Sequence, residues 1–396
     1  MNIVNAVCIL FLVILFLYSL KDLFIKIIRK WNSLHRFSWV DNDVYFKKVS
    51  SVAQRWLLDP PMLPAFDVAV GMPWNYISYR RVCEEVRRGW PMGLLAKGVM
   101  VADIYAGGRL DVLEKFYARY LTSEGRFRFS LKYVDDALHG EVLLYLYKKT
   151  GNQKYRQASD EIFYWLLGQY RRSKTTLPYR DKISVRFVDT LGMIIPFLFE
   201  YNAQFVNKDA QELAVLHMED FILFAVEKRS GLPFHGYNVE FSNMPTGLFS
   251  WGRGVGWYVL GLVEVLTQLT SSNTKFEFFQ QSFIKLANTV RDLQKKDGGW
   301  GDIINISTSK YDSSATAMIL YAFKKAMMAG IIDPSYQDML SQGFHRLQGS
   351  TTKAGVVLDS QGVCMGLNKH SGVFSFTPYS QGMVLAATSV MIFELD

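Results

Sequence analysis

Two aspartates stand where an apolar helix is expected to begin. Val134-Asp135-Asp136-Ala137-Leu138-His139-Gly140 opens the segment running through Leu143–Tyr147. Arg186-Phe187-Val188-Asp189-Thr190-Leu191-Gly192-Met193 opens the apolar run Ile194–Leu198. Either carboxylate can simply cap its helix by accepting amide N–H bonds. Held beside apolar surface, the same group has a raised pKa and can act as a general acid near neutral pH. A third site for chemistry is Gly231–Tyr237, which places His235 in a Gly/Pro loop with aromatic neighbours. The fourth, Trp251-Gly252-Arg253-Gly254-Val255-Gly256-Trp257, is the most unusual stretch of the chain. Arg253 can grip a carboxylate through two parallel hydrogen bonds, the glycines let backbone approach a ligand, and Trp251 and Trp257 offer apolar faces to sugar rings. The alternative is a tight helix–helix contact that needs small residues. No strand-forming run precedes these glycines, so a dinucleotide loop is not expected. His35, His139, His217, His235, His345 and His370 form no H-x-H or H-E-x-x-H pattern, so the spacing predicts no metal. No other cofactor is called for.

These residues need elements to hold them, and the periodicity is overwhelmingly helical. Helices are expected near 45–57, 76–88, 92–106, 109–121, 136–150, 153–171, 189–204, 208–228, 254–270, 275–295, 313–330, 334–348 and 377–394. Short linkers such as Thr150-Gly151-Asn152 and Ile332-Asp333-Pro334 separate them. Strand-like pieces, for example Val356–Leu358, occur only between helices, and nothing alternates as a parallel α/β sheet requires. About a dozen helices in successive hairpins suggest a solenoid or a closed double ring. No repeat of fixed period is visible. The aromatic and polar residues cluster in the linkers instead, which suits a toroid with one pocket at the helix ends. Asp297-Gly298-Gly299-Trp300 and Tyr311-Asp312-Ser313-Ser314-Ala315-Thr316-Ala317-Met318 add a turn and an N-capped helix with a small-residue face.

Composition narrows the class. The 396 residues are 49% hydrophobic, 15% aromatic and 20% charged, which excludes a disordered chain. Three cysteines, Cys8, Cys83 and Cys364, cannot make a disulfide framework. Of the formal +8, half falls in residues 1–36, where Lys21, Lys26, Arg29, Lys30 and Arg36 face Asp22 alone. The body has no basic stripe interleaved with aromatics, so no nucleic-acid partner is expected. Ile3–Leu20 carries no charge and as a helix is about 27 Å long, near the roughly 30 Å of a hydrocarbon core. Basic residues follow the run and none precedes it, unlike a cleaved signal peptide. The expectation is therefore a transmembrane anchor over 1–20 and a basic amphipathic juxtamembrane linker over 21–43 in contact with the lipid bilayer. The body over 44–396 follows. By the positive-inside rule it faces the cytoplasm as a single-pass inner-membrane protein, with the periplasm as the alternative.

Taken in order, the pieces resemble the unsaturated rhamnogalacturonyl hydrolases of glycoside hydrolase family 105 and, more distantly, the unsaturated glucuronyl hydrolases of family 88. The likeness rests on Asp135–Gly140 with the following LLYLYKKTGNQKY, VDTLGM with the P-F-L of 196–198, GLPFHGY, WGRGVGWYVLGLVEVL, DGGW with DSSATAM, and PYSQGMVLAA. It spans roughly residues 75–394. The resemblance implies an all-α (α/α)6 barrel. It implies removal of a terminal 4,5-unsaturated uronate from an oligosaccharide by hydration of its double bond, unlike a two-carboxylate displacement. It further implies Asp189 as the principal acid, Asp135 as its partner, and His235, Arg253 and Trp257 as substrate contacts, with Arg253 holding the uronate carboxylate. Two features depart from the family pattern: the anchor, and Val255 where many members carry a polar residue. They leave open a noncatalytic glycan-binding or assembly factor in exopolysaccharide biosynthesis. A sugar epimerase or lyase on the same toroid is a third reading, although epimerases of that fold use paired histidines not evident in this chain.

Overall fold

The structure is a computed structural model that describes residues 37–61, 88–173, 175–180 and 183–393, with residues 7–14, 16, 17 and 20 of the N-terminal segment. Among the described residues of the body the chain forms twelve α-helices. In chain order they are α1 (Asn42–Leu58), α2 (Trp90–Ala106), α3 (Leu110–Ala118), α4 (Leu138–Thr150), α5 (Gln153–Ser173), α6 (Asp189–Phe205), α7 (Lys208–Ala225), α8 (Gly252–Gln268), α9 (Phe276–Asp292), α10 (Ser313–Met328), α11 (Gln337–Gly349) and α12 (Pro378–Ile392).

The even-numbered helices form an inner ring. Each packs on the next, and α12 packs on α2, which closes the circle. Their sequences explain the position. In α8 every residue from Gly252 to Leu266 is buried, and in α12 every residue from Pro378 to Val390. Helices apolar nearly all round must be covered on every side. The odd-numbered helices lie outside and carry a single apolar face. In α9 that face is Phe279, Phe283, Leu286, Ala287 and Val290, the spacing of one helical stripe. The observed helices fall on those expected from periodicity, so the (α/α)6 barrel stands. The expected helix at 76–88 lies almost wholly outside the described residues.

Close approach at the seam of the ring depends on glycine. A Cβ on Gly98 of α2 would stand 2.1 Å from the Gly382 carbonyl oxygen of α12, and one on Gly382 would stand 2.4 Å from the Leu94 carbonyl oxygen. The ring also buries charge. Lys97 of α2 pairs with Glu141 of α4 at 2.5 Å, and Lys325 of α10 pairs with Glu264 of α8. Each of these two buried lysines thus has an anion, as the cost of desolvation demands.

Short strands lie between the helices, as expected, but at other positions than Val356–Leu358. β1 (Val185–Phe187), β2 (Phe234–Asn238) and β3 (Met244–Phe249) form an antiparallel sheet in the order β1-β2-β3, and β4 (Ser360–Gln361) pairs with β5 (Phe374–Ser375). The GLPFHGY segment, expected as a loop, supplies β2. Gly236 lets it lie flat on β1, because a Cβ there would meet the Arg186 carbonyl oxygen at 2.4 Å. Val356–Leu358 is not a strand. Val357 makes one isolated bridge, to Thr351.

Among the described residues no helix is long and apolar enough to cross a membrane. Of the expected anchor over 1–20 residues 7–14, 16, 17 and 20 are described, and of the linker over 21–43 only residues 37–43. The part that is described is helical at 7–14, and Val7, Ile9, Leu10, Phe11 and Leu12 are exposed. Phe37 and Trp39 already touch the body, their backbone N–H and indole N–H each 3.4 Å from the Thr351 carbonyl oxygen.

Candidate active site

The inner helices run in one sense, and their N-terminal ends converge. Trp90 at the start of α2 packs its ring 4.6 Å from Tyr379 at the start of α12 and 6.0 Å from Trp257 of α8. The sequence-predicted residues sit at this end. Asp189 is the first residue of α6, Asp135 lies in the 3-10 turn Val134–Ala137 that leads into α4, and Trp251 and Arg253 flank the start of α8. Helix N-termini carry partial positive charge, so this end of the barrel favours an anion.

β2 delivers His235 to Asp189. Pairing with β1 fixes the strand: the Val188 N–H donates to the His235 carbonyl at 2.9 Å, immediately before Asp189. The His235 Nε2 then lies 3.3 Å from Asp189 Oδ2, with His235 fully buried and Asp189 mostly so. Among the described residues Asp189 Oδ2, His235 Nδ1 and Asp135 Oδ1 are buried without a hydrogen-bond partner. Polar atoms left so at a helix mouth are what a substrate site presents.

Asp135 is the carboxyl whose environment speaks most plainly. Burial is the main cause that pushes its pKa up to about 7, and the neighbouring Asp136 adds to it, while Arg180 and the Tyr179 hydroxyl pull the other way. It therefore changes charge in the neutral range rather than in the ordinary aspartate range. Tyr179 feels both carboxylates. Burial above all, then the charges of Asp135 and Asp189, keep its hydroxyl protonated.

The segment Trp251–Trp257 is brought to the site, but as wall rather than surface. Arg253 is buried and donates Nη1 to the Gln361 carbonyl at 2.9 Å and Nη2 to the Gly362 carbonyl at 3.0 Å. Its guanidinium stacks 4.8 Å from the Trp251 ring and 5.1 Å from the Tyr379 ring. Asp312, the buried N-cap of α10, feels its positive charge, although burial is the larger influence and raises the Asp312 pKa. Trp251 donates its indole N–H to Gln361 Oε1 at 2.8 Å. Trp257 is fully buried, and a Cβ on Gly192 would meet its ring at 2.6 Å. The glycines of this stretch are spent on packing: Gly252 faces the Gly301 carbonyl and Gly256 faces Met318.

Sequence reasoning missed Cys364 and His370. Both lie between β4 and β5, and the His370 ring sits 5.1 Å from the His235 ring and 4.8 Å from the Trp251 ring. Burial raises the Cys364 thiol to about 11 and lowers His370 to about 4. No local signal marks either residue, because only the fold brings that segment against β2.

Comparison with known proteins agrees with this architecture. The model of Glycosyl Hydrolase Family 88 matches residues 74–393. The unsaturated rhamnogalacturonyl hydrolase YesR of Bacillus subtilis is 24% identical over 192 residues, covering 46% of this chain and 55% of YesR. The aligned part thus spans about half the length of that relative. A possible member of the GH105 family from Salmonella enterica serovar Paratyphi A superposes with a TM-score of 0.73 at 17% identity, covering 89% of this chain and 94% of that one. An unsaturated glucuronyl hydrolase specific for heparin superposes with a TM-score of 0.65 at 15% identity, covering 88% and 97%. At these identities the solved structures speak to the fold.

Proposed function

Since the chain belongs to glycosyl hydrolase family 88, we propose that it is a glycoside hydrolase that releases a terminal 4,5-unsaturated uronate from an oligosaccharide by hydrating the double bond. The observation that carries this reading is the pair of carboxyl groups, Asp189 and Asp135, at neighbouring inner-helix mouths, each with a buried and unpartnered oxygen. Protonating an alkene carbon needs an acid held close to the ring and away from bulk water. In this reading Asp189 gives the proton and then assists attack of water. Hydration yields a hemiketal that opens and frees the remaining sugar. His235, 3.3 Å from Asp189 Oδ2, orients that carboxyl. Asp135, with its pKa raised to about 7, is protonated in a large fraction of molecules near neutral pH and in that form donates a hydrogen bond to the uronate.

The roles of the remaining site residues follow from their partners. Arg253 has its terminal nitrogens on two carbonyls, so it supplies positive charge from behind the pocket. Trp251 and Trp257 hold the wall against which the sugar packs. The raised pKa of Asp135 favours one rival assignment of roles, in which Asp135 is the proton donor. The test is loss of ultraviolet absorbance from the conjugated double bond in a panel of unsaturated uronyl disaccharides. Wild type is expected to consume one of them, and Asp189→Asn to be slower by roughly 100-fold or more. Equal loss of rate in Asp135→Asn alone, with Asp189→Asn active, transfers the proton to Asp135. No consumption by folded wild type removes the reading and favours the glycan-binding alternative.

A further inference from the structure

His235, Cys364 and His370 come from distant parts of the chain, yet a ring nitrogen of each histidine and the Cys364 Sγ all lie within 4.8 Å of one another. A tetrahedral zinc-class ion with nitrogen and sulfur ligands needs donor atoms about 3.4–3.6 Å apart, given metal–ligand bonds of roughly 2.0–2.3 Å. The three groups therefore have to draw together by about 1 Å.

The ring nitrogens are arranged as ligating histidines are. A metal-bound imidazole characteristically engages its second nitrogen with a carboxylate or a backbone carbonyl, which fixes the tautomer. His370 Nε2 lies 3.2 Å from the Leu367 carbonyl, and His235 Nε2 lies within ion-pair reach of Asp189 Oδ2, at 3.3 Å, without a hydrogen bond to it. In both residues the other nitrogen, Nδ1, is buried and has no hydrogen-bond partner among the described residues. His235 is only 2% exposed. Two buried and unpartnered ring nitrogens on neighbouring histidines have no explanation in the packing. The Cys364 thiol beside them makes one contact, to the Gly366 carbonyl at 3.0 Å.

We propose that Cys364, His370 and His235 form a binding site for one thiophilic divalent metal ion of the zinc class, with a fourth position open to water. Binding forms one metal–sulfur and two metal–nitrogen bonds, and the thiol proton passes to solvent. Thiolate and imidazole are the donors such ions select. Three protein ligands leave one position free. The ion ties the segment between β4 and β5 to strand β2, directly behind Asp189. The inference goes beyond the hydrolase reading and does not depend on it, because the residues and their geometry are the same whatever the substrate.

The test uses the full chain, freed of metal with a chelator, and cobalt(II) alone as the probe. One equivalent is expected to give the intense visible absorption of a tetrahedral site together with a near-ultraviolet thiolate-to-cobalt band. Cys364→Ser is expected to lose the thiolate band, and His370→Gln to weaken binding at least tenfold. In parallel, zinc is expected to raise the melting temperature of wild type with concentration and to raise that of both variants less at the same concentration. Circular dichroism reports whether each variant is folded, and either one that folds decides the matter. No cobalt band in folded wild type overturns the proposal. So does a thiolate band that persists in Cys364→Ser, since it then belongs to Cys8 or Cys83.

Discussion

At the scale of single residues, Asp135 carries a linkage that can be read without substrate. Its pKa is pushed to about 7 in the folded chain, chiefly by burial. The folded state thus holds that proton more tightly than the unfolded state does, and stability declines as pH rises from the ordinary aspartate range towards 7. Asp135→Asn removes the charge that is being penalised. In urea titrations the variant is expected to be more stable than wild type at about pH 8, with the gap closing towards about pH 4. Arg253 makes the opposite case. Its charge is buried among Trp251, Tyr379 and two carbonyls, and Asp312 feels it. Arg253→Met strands those partners and is expected to cost about 3–5 kcal/mol, measurable by the same titration. A much smaller loss shows that the guanidinium is held for substrate rather than for the fold.

Among the elements, the ring depends on helices that touch backbone to backbone. Gly98→Ala places a methyl group on the Gly382 carbonyl, and the helices have to part. The expected loss is about 1–3 kcal/mol or more, seen as a lowered melting temperature with helical content retained. The helices were legible in the sequence because long segments such as 252–268 and 276–292 state their period many times over. The strands were not. Val185-Arg186-Phe187 is three residues long, too short to show an alternation, and β2 contains a glycine that argues against a strand until β1 is seen beside it. The same limit applied to the site. Asp135 and Asp189 were visible because each opens an apolar helix, whereas Cys364 and His370 acquire meaning only when β4 and β5 carry their segment across to β2. The commitments of Arg253 to Gln361 and Gly362 were hidden for the same reason.

For the whole molecule, we propose that the N-terminal segment decides in which compartment the barrel works. The run Ile3–Leu20 is uncharged with basic residues after it, and the proposal read from that pattern is a cytoplasmic body, although among the described residues no helix is long and apolar enough to cross a membrane. A phosphatase fused to the C-terminus, active only when exported, is expected to be silent; activity would place the barrel in the periplasm. The closed ring has another consequence, for the order of events at the ribosome. Helix α12 fills the gap between α10 and α2, and nearly all of it is buried. Helix α2 ends at Ala106 and α12 begins at Pro378. At roughly 5–20 residues per second, the apolar flank of α2 waits about a quarter of a minute to a minute for its partner to be synthesised. During that interval the nascent barrel is an open arc whose exposed edge must be shielded, by chaperone or by the bilayer surface, from a neighbouring arc with the same vacancy.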